Sequence, residues 1–167
     1  SGDHSSALGS LAGIKRAHPE KTLAAIWIDA HADLHSPYST PSGNVHGMPL
    51  AAALGNDNME FKRNKVEQQA LNDWETLKNM GGITPVIKPE HLTYFGLRDY
   101  ENEEAAIMEK LQIRNYPVHE LRQRSFKTCI AETLERLAEV DQIYVTFDVD
   151  ALDCDLISHG TGTPVSK

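Results

Sequence analysis

Three short clusters hold the residues best able to do chemistry. Asp29, His31 and Asp33 alternate with alanines directly after the apolar run 24–28. If the extended backbone continues through them, all three side chains leave on one side, because a strand repeats every two residues. Asp148 and Asp150 repeat the spacing after a second apolar run. Carboxylates side by side at the mouth of a buried sheet repel each other, and a proton or a cation must relieve that. The third cluster, Gly2-Asp3-His4-Ser5, stands at a helix entry.

Taken alone, the first two clusters also read as solvated strand ends. The third also reads as a helix cap made by Asp3 or Ser5 beside a surface histidine. Taken together, His4, Asp29, His31, Asp33, Asp148 and Asp150 supply enough donors for two ions that share carboxylates and keep exchangeable positions open. Carboxylate oxygens with imidazole nitrogens suit a borderline-hard divalent ion such as Mn2+, and the absence of thiolate donors argues against structural zinc.

These clusters need a scaffold that delivers them to one place. Short, nearly continuous apolar runs predict strands over 23–29, 92–97 and 143–148, with a weaker one near 116–118. Helical spacing fills the intervals. A helix capped by Ser5 is expected to run to about Ala17, with Leu8, Leu11 and Ile14 on one face and Pro19 beyond its end. Val66, Ala70, Trp74 and Leu77 form a stripe closed by Gly81-Gly82, and Phe126, Ile130, Leu134 and Leu137 form another; both are expected to face the core. The segment 37–49, dense in Pro, Ser, Gly and Asn, reads as loop. Alternation of strand and helix implies an α/β fold with a mainly parallel sheet between helical layers, a three-layer α/β/α arrangement. Such sheets bind ligands at the carboxyl ends of their strands, where the Asp and His clusters lie.

The totals are consistent with one such domain over residues 1–167. A net charge of −8 disfavours nucleic acid and anionic membranes and favours a cationic partner. No apolar run approaches the ~20 residues of a bilayer-spanning helix. Cys129 and Cys154 show neither metal spacing nor a disulfide framework, so a reduced, cytoplasmic protein is expected.

Six motifs in order, GDHS at 2–5, DAHAD at 29–33, SGNVHGMP at 42–49, GLRD at 96–99, FDVDALD at 147–153 and GTGTPV at 160–165, make the chain resemble the arginase/agmatinase (ureohydrolase) family over essentially its whole length. The SGN-x-HG segment is most like the arginase branch. By that resemblance His4, Asp29, Asp33 and Asp148 hold one Mn2+, and Asp29, His31, Asp148 and Asp150 hold a second, with Asp29 and Asp148 bridging. The implied reaction is attack of a metal-bridging hydroxide on a guanidinium carbon, L-arginine giving L-ornithine and urea. His46 is the implied proton shuttle to the leaving amine, and Asp33 joins it among the catalytic residues. His35, Thr40, Ser42, Asn44, Asp99 and Glu101 match positions that contact the amino-acid end of the substrate. His35 replaces the family's usual Asn and Glu101 its usual Asp, which opens the substrate to agmatine, guanidinobutyrate or formimidoylglutamate. The family's greater length implies that N-terminal and C-terminal parts of the domain lie outside this chain. The resemblance also implies a homo-oligomer, a trimer or hexamer. The alternatives are a catalytically inactive metal-binding homologue and a relative of the single-zinc deacetylases.

Overall fold

The computed structural model describes residues 2–157 and 163–165. Four parallel strands form the sheet among these residues: β1 Leu23–Ile28, β2 Leu92–Phe95, β3 Arg114–Tyr116 and β4 Gln142–Phe147, in spatial order β3-β2-β1-β4. Each predicted strand is present, shifted by one or two residues. The chain lays β2 and β3 to one side of β1, then returns to place β4 on the other side. That reversal opens a crevice between β1 and β4 at their carboxyl ends. Ile28 pairs in register with both Phe95 and Phe147, so the three strands stop level with one another. The chain segments that leave them therefore start from one plane.

Among the described residues six α-helices cover the sheet: α1 Ser6–Ala17, α2 Pro49–Ala53, α3 Gln68–Lys78, α4 Asn102–Lys110, α5 Val118–Arg124 and α6 Phe126–Arg136. Leu8 and Leu11 of α1, Leu50 of α2, Trp74 of α3 and Ile107 of α4 bury against Ala25, Trp27 and Tyr94 on one sheet face. Leu121 of α5 and Cys129 of α6 meet Phe95 and Tyr116 on the other. This is the α/β/α layering expected from the alternation of apolar runs and helical spacing. No helix among the described residues is long and apolar enough to cross a membrane.

Four expectations about capping and burial need correction. Ser5 makes no side-chain cap; the helix entry is held instead by Asp3, whose carboxylate accepts from Ser5 N–H at 2.9 Å and whose carbonyl accepts from Ser6 N–H. The stripe leading into α3 is buried only at Trp74, since Val66 precedes the helix and Ala70 is exposed. On α6, Cys129, Thr133 and Leu137 face inward, while Phe126, Ile130 and Leu134 are about half exposed. Period alone tells that a helix is amphipathic, not which neighbour covers its apolar side. Finally, β4 alternates rather than being buried on both faces, because Ile143, Val145 and Phe147 point to a sheet face that α5 and α6 leave open.

Gly81 was expected to end α3, which in fact stops at Lys78. Its φ of +83° and its approach to α1 require glycine for a different reason: a Cβ there would lie 2.9 Å from the Ala12 carbonyl oxygen.

Candidate metal centre

Asp29 continues the sheet ladder for one residue, its N–H donating to Phe95 O at 3.1 Å, and Asp148 N–H donates likewise to Ile28 O at 2.8 Å. Beyond that point the extended backbone does not continue, contrary to the expectation from period two. The Asp29 carboxylate accepts from His31 N–H at 2.8 Å, which bends the chain, and Asp33 adopts a left-handed φ of +53°. The bend sends Asp29 and Asp33 toward His4 and turns His31 across the crevice toward Asp150. The residues converge, by a turn rather than by strand alternation.

His4 is held from behind. Its ring stacks on Trp27 at 4.1 Å, and Nε2 meets Thr146 Oγ1 at 3.0 Å. Nδ1 is thereby aimed into the crevice, 2.8 Å from Asp29 Oδ2, 3.1 Å from Asp33 Oδ2 and 3.4 Å from Asp148 Oδ2. None of these contacts is aligned as a hydrogen bond, and both Nδ1 and Asp33 Oδ2 are buried polar atoms without a hydrogen-bond partner. One nitrogen ringed by three carboxylate oxygens in this way has the arrangement of ligands around an ion. Across the crevice His31 Nδ1 lies 2.9 Å from Asp150 Oδ2 and 3.6 Å from Asp29 Oδ1. Two donor groups result, His4/Asp29/Asp33 and Asp29/His31/Asp150, joined by the two oxygens of Asp29. Asp148 stands beside the first group, and its other oxygen accepts from Asp150 N–H at 3.0 Å.

The electrostatics show how much charge is gathered. Burial disfavours the imidazolium of His4, but Asp29 and Asp33 outweigh it and raise the pKa to about 10. Asp150 and Asp29 raise that of His31 to about 11. Burial opposes ionisation of Asp29, yet the two histidines hold it well below the usual carboxylate range. Asp33, more deeply buried, is pushed up to about 6 despite His4. Without a cation, protons on the histidines compensate the carboxylates; a divalent ion would take over that role and needs those nitrogens neutral.

The donors open into a cavity of about 420 Å³ whose walls include His35, Thr40, Ser42, His46, Asp99 and Glu101. Asn44 is not on that lining. His46 is exposed on the loop before α2, and Asp99 reaches within 3.7 Å of His31 Nε2. Thr40 is buried, with its hydroxyl accepting from Ser42 and Gly43 N–H, so it shapes the loop. His35 uses both ring nitrogens, one with Ser39 Oγ at 3.1 Å and one with Glu101 Oε2 at 3.0 Å. Of the motif at 160–165, residues 160–162 lie outside the described residues, as do Ser158 and His159.

Four residues of the centre were not picked out from sequence. Trp27, whose indole N–H donates to Asp29 Oδ2 at 2.9 Å, was legible in principle as the same-face neighbour two residues earlier. Thr146 has the same relation to Asp148. Arg98 donates from Nη2 to the carbonyls of Asp150 at 2.6 Å and Thr163 at 2.8 Å, which fixes the turn after β4. Glu104, the fourth, stands three residues after Glu101, the spacing of a capping box.

A family model described as the arginase family matches residues 1–167. The chain belongs to the arginase family. An arginase of Bacillus subtilis is 36% identical over 164 residues, covering 98% of this chain and 49% of the relative. The mitochondrial arginase-2 of Rattus norvegicus is 36% identical over 166 residues, covering 98% and 42%. This arginase-family chain thus spans about half the length of the curated relatives it matches. The crystal structure of the Bacillus subtilis arginase superimposes with a TM-score of 0.81 at 35% identity, over 99% of this chain and 50% of that one. A formimidoylglutamase structure from the same organism, at 21% identity and a TM-score of 0.65, shares the fold.

Proposed function

We propose that this arginase-family chain carries the metal-binding part of a hydrolase that cleaves a guanidinium group, with L-arginine giving L-ornithine and urea. The observation that carries the reading is Asp29, whose two oxygens face two separate His-containing donor groups at the mouth of the β1/β4 crevice. A carboxylate so placed suits a pair of ions, and the all-O/N donor set suits Mn2+. Bound there, two Mn2+ ions would supply a hydroxide from water at neutral pH and offset the carboxylate charge. Asp148, beside the first group, is proposed as the second bridging carboxylate.

The chain's own residues account for the remaining steps. Asp33 Oδ2, buried beside His4 Nδ1 without an aligned hydrogen bond, is proposed to hold a proton of the attacking water as well as to stand among the donors of the first group. His46 lies on the cavity wall on an exposed loop, where an imidazole can exchange protons with solvent and pass one to the leaving amine. Ser42, whose hydroxyl accepts from Asn44 N–H at 3.2 Å, is proposed to meet the carboxylate of the amino acid together with Asn44. Asp99 and Glu101 are proposed to meet its amino group. Residues 1–167 are proposed as part of a single catalytic domain that works as a homo-oligomer in the cytoplasm.

The test is urea release by the Mn2+-loaded protein on arginine, agmatine, guanidinobutyrate and formimidoylglutamate. Urea from arginine is expected. No turnover of arginine, with urea or formamide formed from another compound, overturns the arginase branch. Metal analysis returning one ion rather than two revives the single-zinc alternative. His46→Ala should lower kcat at least about 100-fold while bound Mn2+ stays constant; unchanged turnover would remove His46 from the proton path.

A further inference from the structure

Below the cavity rim lies a buried carboxyl that the proposed reaction does not use. Glu104, on the first turn of α4, is 3% exposed. One oxygen, Oε1, accepts from Leu34 N–H at 3.0 Å, on the chain that has just left the metal ligands of β1. The other, Oε2, accepts from Glu101 N–H at 3.1 Å and lies 3.6 Å from His35 Nε2. A capping box explains the contact with Glu101, the N-cap of α4. It does not call for Leu34, nor for a carboxyl this deeply enclosed.

We propose that Glu104 is the positioning residue that locks the loop after β1 to the loop after β2, and so fixes His35 and Glu101 where the end of the substrate remote from its guanidinium group must rest. The inference rests on the guanidinium reading of the cavity. The geometry carries it: the two segments are joined through their main chains at their start, where Arg98 and Asp99 N–H donate to Ala30 O, and farther along one side chain bonds the backbone of both, at Leu34 and at Glu101, where His35 and Glu101 meet at 3.0 Å above it. Burial, and next the neighbouring Glu101, raise the pKa of Glu104 to about 8, so it retains a proton that Glu101 can accept. Glutamine keeps an acceptor oxygen for Leu34 N–H and a donor toward the Glu101 carboxylate without titrating, and gives up the acceptor for Glu101 N–H. His35, Glu101 and Tyr94 are the titratable groups that face it. The same three side chains, His35, Glu101 and Glu104, approach closely enough to suggest a cation, but they already satisfy one another by hydrogen bonds.

Two measurements on Glu104→Ala and Glu104→Gln test the proposal. Amide hydrogen exchange needs no substrate: the Leu34 and Glu101 amides should lose protection at least about tenfold in Glu104→Ala, and Leu34 should keep it in Glu104→Gln, whose amide oxygen replaces Oε1. In turnover of the guanidinium substrate by the Mn2+-loaded protein, Glu104→Ala should raise KM about tenfold with kcat and bound Mn2+ nearly unchanged, and Glu104→Gln should restore KM to within about twofold. A folded Glu104→Ala with unchanged KM overturns the proposal. So does a loss of kcat together with metal, which would place the effect at the ions. If Glu104→Ala does not fold, Glu104→Gln decides alone, since failure to keep Leu34 protected is incompatible with the lock. A wild-type protein inert toward every guanidinium compound would sink the proposed function, and the lock would then stand or fall on Leu34 exchange.

Discussion

Asp29 concentrates the demands of the site in one side chain. It is 1% exposed, accepts from the Trp27 indole and the His31 amide, and presents an oxygen to each donor group. Asp29→Asn keeps the shape and removes the charge, so bound Mn2+ should fall from two ions to fewer than one per chain by elemental analysis. Asp99→Asn, at the solvent-exposed rim, should leave the count at two. Glu104 yields a prediction of a different kind, through pH. Its folded pKa is raised from 4.5 to about 8, so between those values the folded state holds a proton that the unfolded state has released. Its contribution to stability is therefore present below about pH 4.5 and is lost as pH climbs toward 8. Glu101 is shifted the opposite way, and its window lies below pH 4.5, so the two do not cancel. Denaturant unfolding of the Mn2+-loaded protein should show Glu104→Gln flattening the fall between pH 5 and 8 by on the order of 1–3 kcal/mol relative to wild type. Parallel pH curves for the two proteins would contradict it. Five of the six candidate ligands were legible because carboxylates and histidines directly after apolar runs are costly unless something binds them; His4, at a helix entry, was legible only in combination with them. Trp27, Thr146 and Glu104 were not, because tryptophan, threonine and a helix-start glutamate each have an ordinary role that needs no site.

At the scale of elements, the strands were legible because each is a short apolar run that ends in polar residues. What sequence could not show was how the chain leaves them. Asp33 at φ +53° and Gly96 at φ +91° turn the segments after β1 and β2, and the former replaces the extended path that the spacing of Asp29, His31 and Asp33 suggested. The turn after β4 depends on a residue from the loop after β2. The guanidinium of Arg98 donates to the carbonyls of Gly96, Asp150, Ala151, Leu152 and Thr163. It therefore binds the exit of β2 to the loop bearing Asp150. A lysine is a point donor and cannot fork among these acceptors. Arg98→Lys should weaken Mn2+ binding about 10-fold or more, by analogy with other residues that orient metal ligands. Its effect should fall mainly on the Asp29/His31/Asp150 group, read as loss of one ion before the other in a chelator titration. Simultaneous loss of both ions would show that Arg98 supports the whole sheet edge and not the β4 turn.

At the scale of the whole molecule, the parallel sheet is covered evenly on one face only. On the other, α5 and α6 close over β2 and β3, and the β1 and β4 side stays open. Val145 and Phe147 are 56% and 53% exposed there, Ile26 and Ile28 of β1 are only partly buried, and Phe126, Ile130 and Leu134 of α6 turn apolar side chains outward. The register places Ile26 opposite Val145 and Ile28 opposite Phe147, so these residues share one face. Among the described residues β4 pairs with β1 alone, which leaves its other edge free. An apolar face beside a free strand edge is a site of adhesion in water. The 167-residue chain should therefore bind a hydrophobic dye and sediment as concentration-dependent oligomers. Val145→Lys combined with Phe147→Lys should suppress both, because charges on this face oppose edge-to-edge pairing. The melting temperature should barely change, since side chains already half in water contribute little to folding when replaced. Sedimentation as a monomer with no dye binding would defeat the prediction. A large fall in melting temperature on substitution would show instead that these side chains are already covered in solution.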